Sequence, residues 1–594
     1  MQRGTKQFRR TVVASGLANP WEITWGPDGK LWLTERSGKR ITRIDPTSGD
    51  RKVAATIDEV SAPGGQDGLL GMALHPDLLK RRNTDHVYVA YTYQDKGRGA
   101  DPNITAADSP YRFLYMKIVR FTYDAAAETL SDPTTVIEGL PAGNDHLAGR
   151  LKIGPDRKLY LTIGDQGHNQ LGNSCLAVES QRLPTQKEIA TKDFVAYQGK
   201  SLRINMDGSI PNDNPKINGV ISHVFTYGHR NPQGLDFAPD GTIYSSEQGP
   251  KTDDEVNILK PGGNYGWPHV AGLKDNKAYE FARWAEATTP CSQIRFSDLA
   301  IHPSVPREPE SAFTKPMIDP LATMFTVPND YNFSDPACRG VNFICWPTVA
   351  ASSIEHYQSK GIPGWDRVLF VTTLKRGSLY VVPLKPNGQA SAGHMSRYFQ
   401  SENRFRDTAV SPDGKTIYVA TDAGGISQSM AGGVARRMQD SGAILAFTYT
   451  GEGTGKETEE PKLISQAAKP QPDEPRASSA AIANATPPQF TAAQAAVGKT
   501  AYNANCAVCH GSSMTNGTMG TPLAGEYFRT TWFNRTVKAL YDKSHKTMPP
   551  AAPASLPAET YANIVAYILE LNGFKPGATA LPAGGDALEK MAIK

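Results

Sequence analysis

Pro27-Asp28-Gly29-Lys30-Leu31-Trp32-Leu33 reads as a tight turn running into a strand, and the chain repeats it. Pro155-Asp156-Arg157-Lys158-Leu159-Tyr160-Leu161, Pro239-Asp240-Gly241-Thr242-Ile243-Tyr244 and Pro412-Asp413-Gly414-Lys415-Thr416-Ile417-Tyr418 obey the same rule. Proline presets the turn, aspartate and glycine complete it, and the apolar run after it supplies the strand. His86-Val87-Tyr88-Val89-Ala90 and Asp366-Arg367-Val368-Leu369-Phe370-Val371 look like the same strand without the full turn. Spread over residues 1–450, these strands leave roughly 75 residues apiece, enough for a four-stranded blade and a long loop. The expected fold is mainly β, a six-bladed β-propeller, with a two-sheet sandwich as the competing arrangement. A small all-α domain follows it.

Residues 451–488 are dominated by Gly, Glu, Lys, Pro, Ala and Ser and read as a flexible linker. Beyond it stands Cys506-Ala507-Val508-Cys509-His510, the C-x-x-C-H arrangement in which two thiols bind the porphyrin vinyls and histidine binds iron. Thr491-Ala492-Ala493-Gln494 is a capping box opening a helix into that motif. Thr547-Met548-Pro549-Pro550 places a thioether in a stiff loop, suiting Met548 as sixth iron ligand ahead of Met514, Met519 and His545. Tyr561, Ile564, Val565, Ile568 and Leu569 recur at helical spacing between Pro557 and Gly573. Residues 489–594 thus resemble a small class I cytochrome c, which implies haem c and electrons that leave one at a time.

At 594 residues the chain is too long for one core. Its 63 basic and 59 acidic residues nearly cancel, so nothing directs it to nucleic acid or an anionic membrane. No apolar run reaches membrane-spanning length. The stretch Met1-Gln2-Arg3-Gly4-Thr5-Lys6 lacks the apolar core of a signal peptide. Haem attachment to C-x-x-C-H takes place outside the bacterial cytoplasm, so the expectation is a trimmed, periplasmic chain. Cys338 and Cys345 bracket a short segment that an oxidising compartment favours bridging, for about 2.5 kcal/mol in the chain-entropy model. Cys175–Cys291 is the remaining candidate pair; sequence does not assign connectivity, and four buried thiols are the alternative.

Polar phrases interrupt the strands: Gly65-Gln66-Asp67-Gly68, Asp145-His146, Gly164-Asp165-Gln166-Gly167, Gly228-His229-Arg230-Asn231-Pro232-Gln233-Gly234, Glu247-Gln248-Gly249-Pro250, Leu374-Lys375-Arg376-Gly377 and Asn403-Arg404-Phe405-Arg406-Asp407. Arg404 and Arg406, two apart, share one side of an extended segment. With Lys375 and Arg230 they would make a cationic pocket for a multiply anionic small molecule; a solvated basic surface is the alternative.

These phrases, with Gly262-Gly263-Asn264-Tyr265-Gly266-Trp267-Pro268 and Cys345-Trp346-Pro347-Thr348, make residues 10–448 resemble the soluble quinoprotein glucose dehydrogenases, six-bladed propellers that bind pyrroloquinoline quinone (PQQ) and calcium. Several phrases are shared with the related aldose sugar dehydrogenases. The resemblance implies that His146 is the general base at the sugar's anomeric hydroxyl, oriented by Asp145 and Asp165, and that Arg230 holds developing negative charge. It implies sugar contacts from Gln66 and Trp346, and PQQ contacts from Asn231, Lys375, Arg404, Arg406, Thr348 and Gln248. Carbonyls of Gly249 and Pro250 would hold the catalytic calcium. Ala271 and Leu273 carbonyls with Asp275 match a structural calcium loop, with Glu308 as the added carboxylate. Phe343 stands where the family has tyrosine, and His168 where it has arginine.

The expected function is therefore oxidation of an aldose such as glucose to its lactone, with hydride transfer to PQQ, one-electron transfer to the haem and then an external acceptor; a homodimer is compatible. A calcium-dependent lactone hydrolase and a non-catalytic binding propeller are the competing classes.

Overall fold

The computed structural model describes residues 5–453 except 81–82, 102–103, 105–107, 339–340, 389–394 and 436, and residues 485–594 except 512–513, 515–522, 534 and 549–553. The chain divides into a larger unit drawn from residues up to Gln466 and a smaller one built mainly from Ala467–Lys594.

In the larger unit every repeated strand becomes the second strand of a blade. These are Leu31–Glu35, His86–Gln94, Leu159–Ile163, Ile243–Glu247, Val368–Thr373 and Thr416–Thr421, each in its own four-stranded antiparallel sheet. The repeated aspartate explains the turn. Asp28, Asp156, Asp240 and Asp413 each accept the backbone N–H two residues on, at 2.9–3.2 Å, an Asx turn closed before the strand begins. The innermost strands, Pro20–Trp25, Leu69–Leu74, Ala148–Ile153, Pro232–Phe237, Ala351–Tyr357 and Phe405–Val410, pack on one another around the axis.

The six sheets are the six expected blades. The last is closed from both ends of the domain: Thr5–Ala14 pairs with Ile444–Gly453, so the N-terminal strand covers the outer edge of the final blade. That final strand runs beyond residue 450, and residues 454–484 of the expected linker lie outside the described residues.

One buried guanidinium gathers the axis. Arg150, 1% exposed, donates to Glu22 (2.6 Å), Asp407 (2.9 Å) and the carbonyls of Gln233 and Ser352 (3.0 Å each). It thereby joins five innermost strands, and its full pairing is what makes the burial of its charge tolerable.

The smaller unit is helical, with Ala492–Asn505, Ala507–His510, Gly525–Trp532, Val537–Thr547 and Ala558–Leu571. Thr491 caps the first helix by accepting the Gln494 N–H. Tyr561, Ile564, Val565, Ile568 and Leu569 are buried in its core. The first and last helices cross at Gly498, where a Cβ would lie 1.8 Å from the Asn563 carbonyl oxygen; only glycine admits that approach. Among the described residues no helix is long and apolar enough to cross a membrane.

Candidate active site

Consecutive strands of a blade are antiparallel, so each first strand begins, and each second strand ends, at the same edge. Residues just before a first strand or just after a second one therefore meet at one mouth of the propeller. Gln66, Asp145, His146, Arg230, Asn231, Thr348 and Arg404 hold the first kind of position. Asp165, Gln248, Gly249, Lys375 and Asp422 hold the second.

His146 lies at φ 42°, the left-handed region that a non-glycine residue enters only when its surroundings hold it there. Gly164 lets those surroundings close in, since a Cβ there would sit 2.0 Å from the His146 carbonyl oxygen. His146 Nδ1 is 2.7 Å from Asp165 Oδ1, and its Nε2 is 3.9 Å from Asp145 Oδ2. Gln66 donates to Asp145 at 2.5 Å. Asp165 also accepts the Gly167 N–H (2.9 Å) and the Trp267 indole N–H (2.8 Å). Burial alone would raise the carboxyl of Asp165, but His146, Arg230 and the Gly167 N–H outweigh it and hold it below its ordinary value. An ionised Asp165 fixes the imidazole with its proton on Nδ1 and its lone pair on Nε2.

Arg230 donates to the carbonyls of Gly249 (2.8 Å) and Gln248 (3.1 Å). Glu247, unassigned by sequence reasoning, accepts the Arg230 backbone N–H and contacts His229 Nδ1 at 2.8 Å. Asn231 donates to Gln248 (3.1 Å) and accepts from Gln233 (3.0 Å), whose amide also reaches Gln66 (3.3 Å) and Arg406 (3.4 Å). Gln233 thus links the expected sugar contact to the expected cofactor contacts.

Arg404 and Arg406 do share one side of their strand, and both reach Asp422 at 2.8–2.9 Å. Burial would raise Asp422, yet Arg406, Arg404 and Arg36 bring it down to about 2. Arg36 and Asp422 went unnoticed in the sequence, although both directly follow a second strand and the blade register would have flagged them. Lys375 is buried and donates to the Thr348 hydroxyl; burial pushes its amine well below its ordinary value, with Asp254 opposing only in part. Trp346 is buried, its indole N–H on the Phe333 carbonyl (3.1 Å).

At the expected structural calcium loop the structure differs from the sequence reading over one carboxylate. Glu308 turns away to His269 (2.8 Å) and towards Arg283. Glu310, fully buried, accepts the backbone N–H groups of Ala271 (3.1 Å), Asp275 (3.1 Å) and Asn276 (2.7 Å). A two-residue slip decides this, and sequence had no means to choose between two glutamates flanking Pro309. Leu273 is largely exposed in the same loop. Cys175–Cys291 and Cys338–Cys345 are both bonded, with Cα–Cα distances of 5.5 and 5.9 Å.

In the smaller unit Cys506 and His510 occupy successive turns, the His510 N–H bonded to the Cys506 carbonyl at 2.9 Å. Nothing is described of the Cys509 side chain, and Met519 lies outside the described residues. Met548 is half-buried, its carbonyl held by the Tyr561 hydroxyl at 2.6 Å. Met514 is fully buried, and His545 stacks on Tyr541.

A propeller mouth with a buried His–Asp pair beside clustered cations, on a chain with a C-x-x-C-H helical tail, defines an oxidoreductase with a bound redox cofactor. The Glucose / Sorbosone dehydrogenase family matches residues 17–304 and 333–428, and the Cytochrome C oxidase, cbb3-type, subunit III family matches residues 493–568. Quinoprotein glucose dehydrogenase B of Acinetobacter calcoaceticus is 43% identical over 450 residues, covering 75% of this chain and 92% of that protein. Aldose sugar dehydrogenase YliI of Escherichia coli K12 is 26% identical, over 69% of this chain and 89% of that one. A crystal structure of a glucose dehydrogenase shares the fold at TM-score 0.51 and 22% identity, covering 75% of this chain and all of that one. The chain belongs to the glucose/sorbosone dehydrogenase family: it is a PQQ-dependent sugar dehydrogenase with a C-terminal cytochrome c domain.

Proposed function

We propose that this enzyme oxidises an aldose such as glucose at its anomeric carbon to the lactone, and that the electrons pass singly to a haem carried on the same chain. The His146–Asp165 contact of 2.7 Å, set beside a cationic wall, carries the reading. When bound, PQQ with its calcium supplies the hydride acceptor, and the c-type haem supplies a one-electron carrier.

The residues suit that load. Arg36, Arg404 and Arg406 act on the single carboxylate of Asp422, and Lys375 is buried against a neutral hydroxyl, so a multiply anionic ligand balances the surplus. Asn231, Gln248 and Thr348 add polar contacts at the same mouth. The Gly249 carbonyl already faces the positive charge of Arg230, and with Pro250 it offers the oxygen donors a hard cation takes. Ala271, Leu273, Asp275 and Glu310 would hold a second, structural calcium. In the tail, Cys506 and Cys509 would bind haem, with His510 and Met548 as axial ligands.

Gln66 and Trp346 position the sugar. His146 Nε2 takes the anomeric hydroxyl proton as hydride leaves, so that no free alkoxide accumulates. Asp165 keeps the lone pair on that nitrogen, Asp145 flanks it, and Arg230 steadies the oxygen. The segment between the domains raises the local concentration of haem near the propeller, to about millimolar for a linker of matching length. An outside acceptor in the periplasm then collects the electrons.

The test is to reconstitute apo-protein with PQQ and calcium, add glucose without a mediator, and follow the reduced-haem absorbance. Glucose-dependent reduction is expected. Hydrolysis of added lactone with no haem reduction, or complete inertness, overturns the reading.

A further inference from the structure

We propose that Trp267 is a positioning residue of this reaction: its indole N–H fixes the carboxylate of Asp165, and through it the tautomer and aim of His146. The inference rests on the assignment of His146 as the base.

The geometry is specific. Asp165 is fully buried. Its Oδ1 is engaged by His146 Nδ1 (2.7 Å) and the Gly167 N–H (2.9 Å), while its Oδ2 takes the Trp267 Nε1–H at 2.8 Å. A carboxylate held at one oxygen can still rotate about its last torsion. A donor at each oxygen removes that freedom, so the acceptor presented to the imidazole keeps its place.

Trp267 is itself held from three sides, so it imposes geometry rather than following it. Its backbone N–H donates to the Gly228 carbonyl (3.0 Å), two residues before Arg230. Its carbonyl accepts from Gln181 (2.9 Å), and its ring lies 5.8 Å from that of Tyr279, whose hydroxyl holds the Pro268 carbonyl at 2.5 Å. The same ring lies under the Arg230 guanidinium, 5.4 Å from its centroid. One side chain thus touches both the orienter of the base and the arginine across the substrate site.

The N–H also has an electrostatic effect. It draws charge from a carboxylate otherwise shared between His146 and, at longer range, Arg230. Without it, Asp165 becomes a stronger acceptor for the imidazole proton and holds the cationic imidazole more tightly. The charged groups facing this pair are Asp145, Asp165 and Arg230, with the Gln66 amide on Asp145.

Two replacements separate the N–H from the ring: Trp267→Phe, and 3-benzothienylalanine at 267, which keeps the indole shape and removes only the donor. Each is made in the full chain. In the reconstituted enzyme, kcat should fall about ten- to a hundredfold, the scale of one hydrogen bond to a charged group. The acid limb of the kcat/KM profile should move to higher pH, with KM for glucose little changed. In apo-protein, the proton NMR resonance of the His146 Nδ1–H should move downfield. An unchanged pH profile and resonance in the benzothienyl protein overturns the inference, whatever happens to kcat. His146→Ala, run alongside, keeps the two ideas apart. If it retains activity the base assignment fails; if it is inactive while the 267 variants behave as parent, only the role of Trp267 fails.

Discussion

Replacing Lys375 by methionine removes a buried ammonium while keeping the length of the side chain. Lys375 is 4% exposed, donates to Thr348, and has its charge opposed by burial and favoured by Asp254. If it grips a PQQ carboxylate, that charge-assisted contact is worth about 1.5–3 kcal/mol, so the PQQ dissociation constant should rise about 10- to 150-fold. At fixed ligand excess, the thermal stabilisation that PQQ confers should shrink by a similar energy. The ligand-free protein should behave differently. It loses the desolvation penalty of the ammonium and the attraction to Asp254 together, two large terms of opposite sign, so its melting temperature should change little. Asp254 retains the N–H groups of Gly249 (2.8 Å), Val349 and Ala350 (2.6 Å each).

The pH dependence has a definite sign. Burial lowers the amine below its ordinary value of 10.5, so the empty folded protein binds fewer protons than the unfolded chain between the two values, and stability rises with pH there. An anionic ligand restores the charged form, so PQQ affinity should weaken as pH rises through that window. The weakening should vanish in Lys375→Met. PQQ titrations at several pH values, with melts of apo- and holo-protein, read all of this. A PQQ affinity within twofold of parent, accompanied by a large fall in apo-protein stability, would show Lys375 to be only a core element.

Chelation should lower the melting temperature and added calcium should restore it, because Asp253, Asp275 and Glu310 repel one another around the Ala271–Asn276 loop. Burial, with that repulsion added, pushes Glu310 up to about 7. Glu310→Gln should shrink the calcium-dependent gain while Glu308→Gln should not, and equal melts with and without chelator would refute the site. Met548→Ala should change the reduced haem spectrum and lower its potential, as expected on losing a thioether ligand. An unchanged spectrum would transfer the axial role to Met514, Met519 or His545.

Much of this protein is legible locally. A Pro-Asp-Gly turn needs only its own aspartate and the N–H two residues on, so the second strand of each blade is written within a few residues. The C-x-x-C-H motif is equally local, being set by one helical turn. The phrases that mark the site are legible for a related reason, since each lies at a strand end and blade topology carries all such ends to one mouth.

What escaped was set by distant chain. Thr5 meets Gly453 across the whole domain, and no local signal announces a strand that completes the blade begun by the other end of the chain. Trp267 finds Asp165 across 102 positions, and Arg150 finds Asp407 across 257. The choice between Glu308 and Glu310 turned on which side of Pro309 faced the loop, which only the packed backbone decides. Sequence alone determined that strand-forming repeats end in polar, catalytically able residues and that a haem motif follows them. Tertiary structure decided which of those residues touch, because a hydrogen bond constrains atoms to a few ångströms while the repeat fixes only the edge of the blade they share.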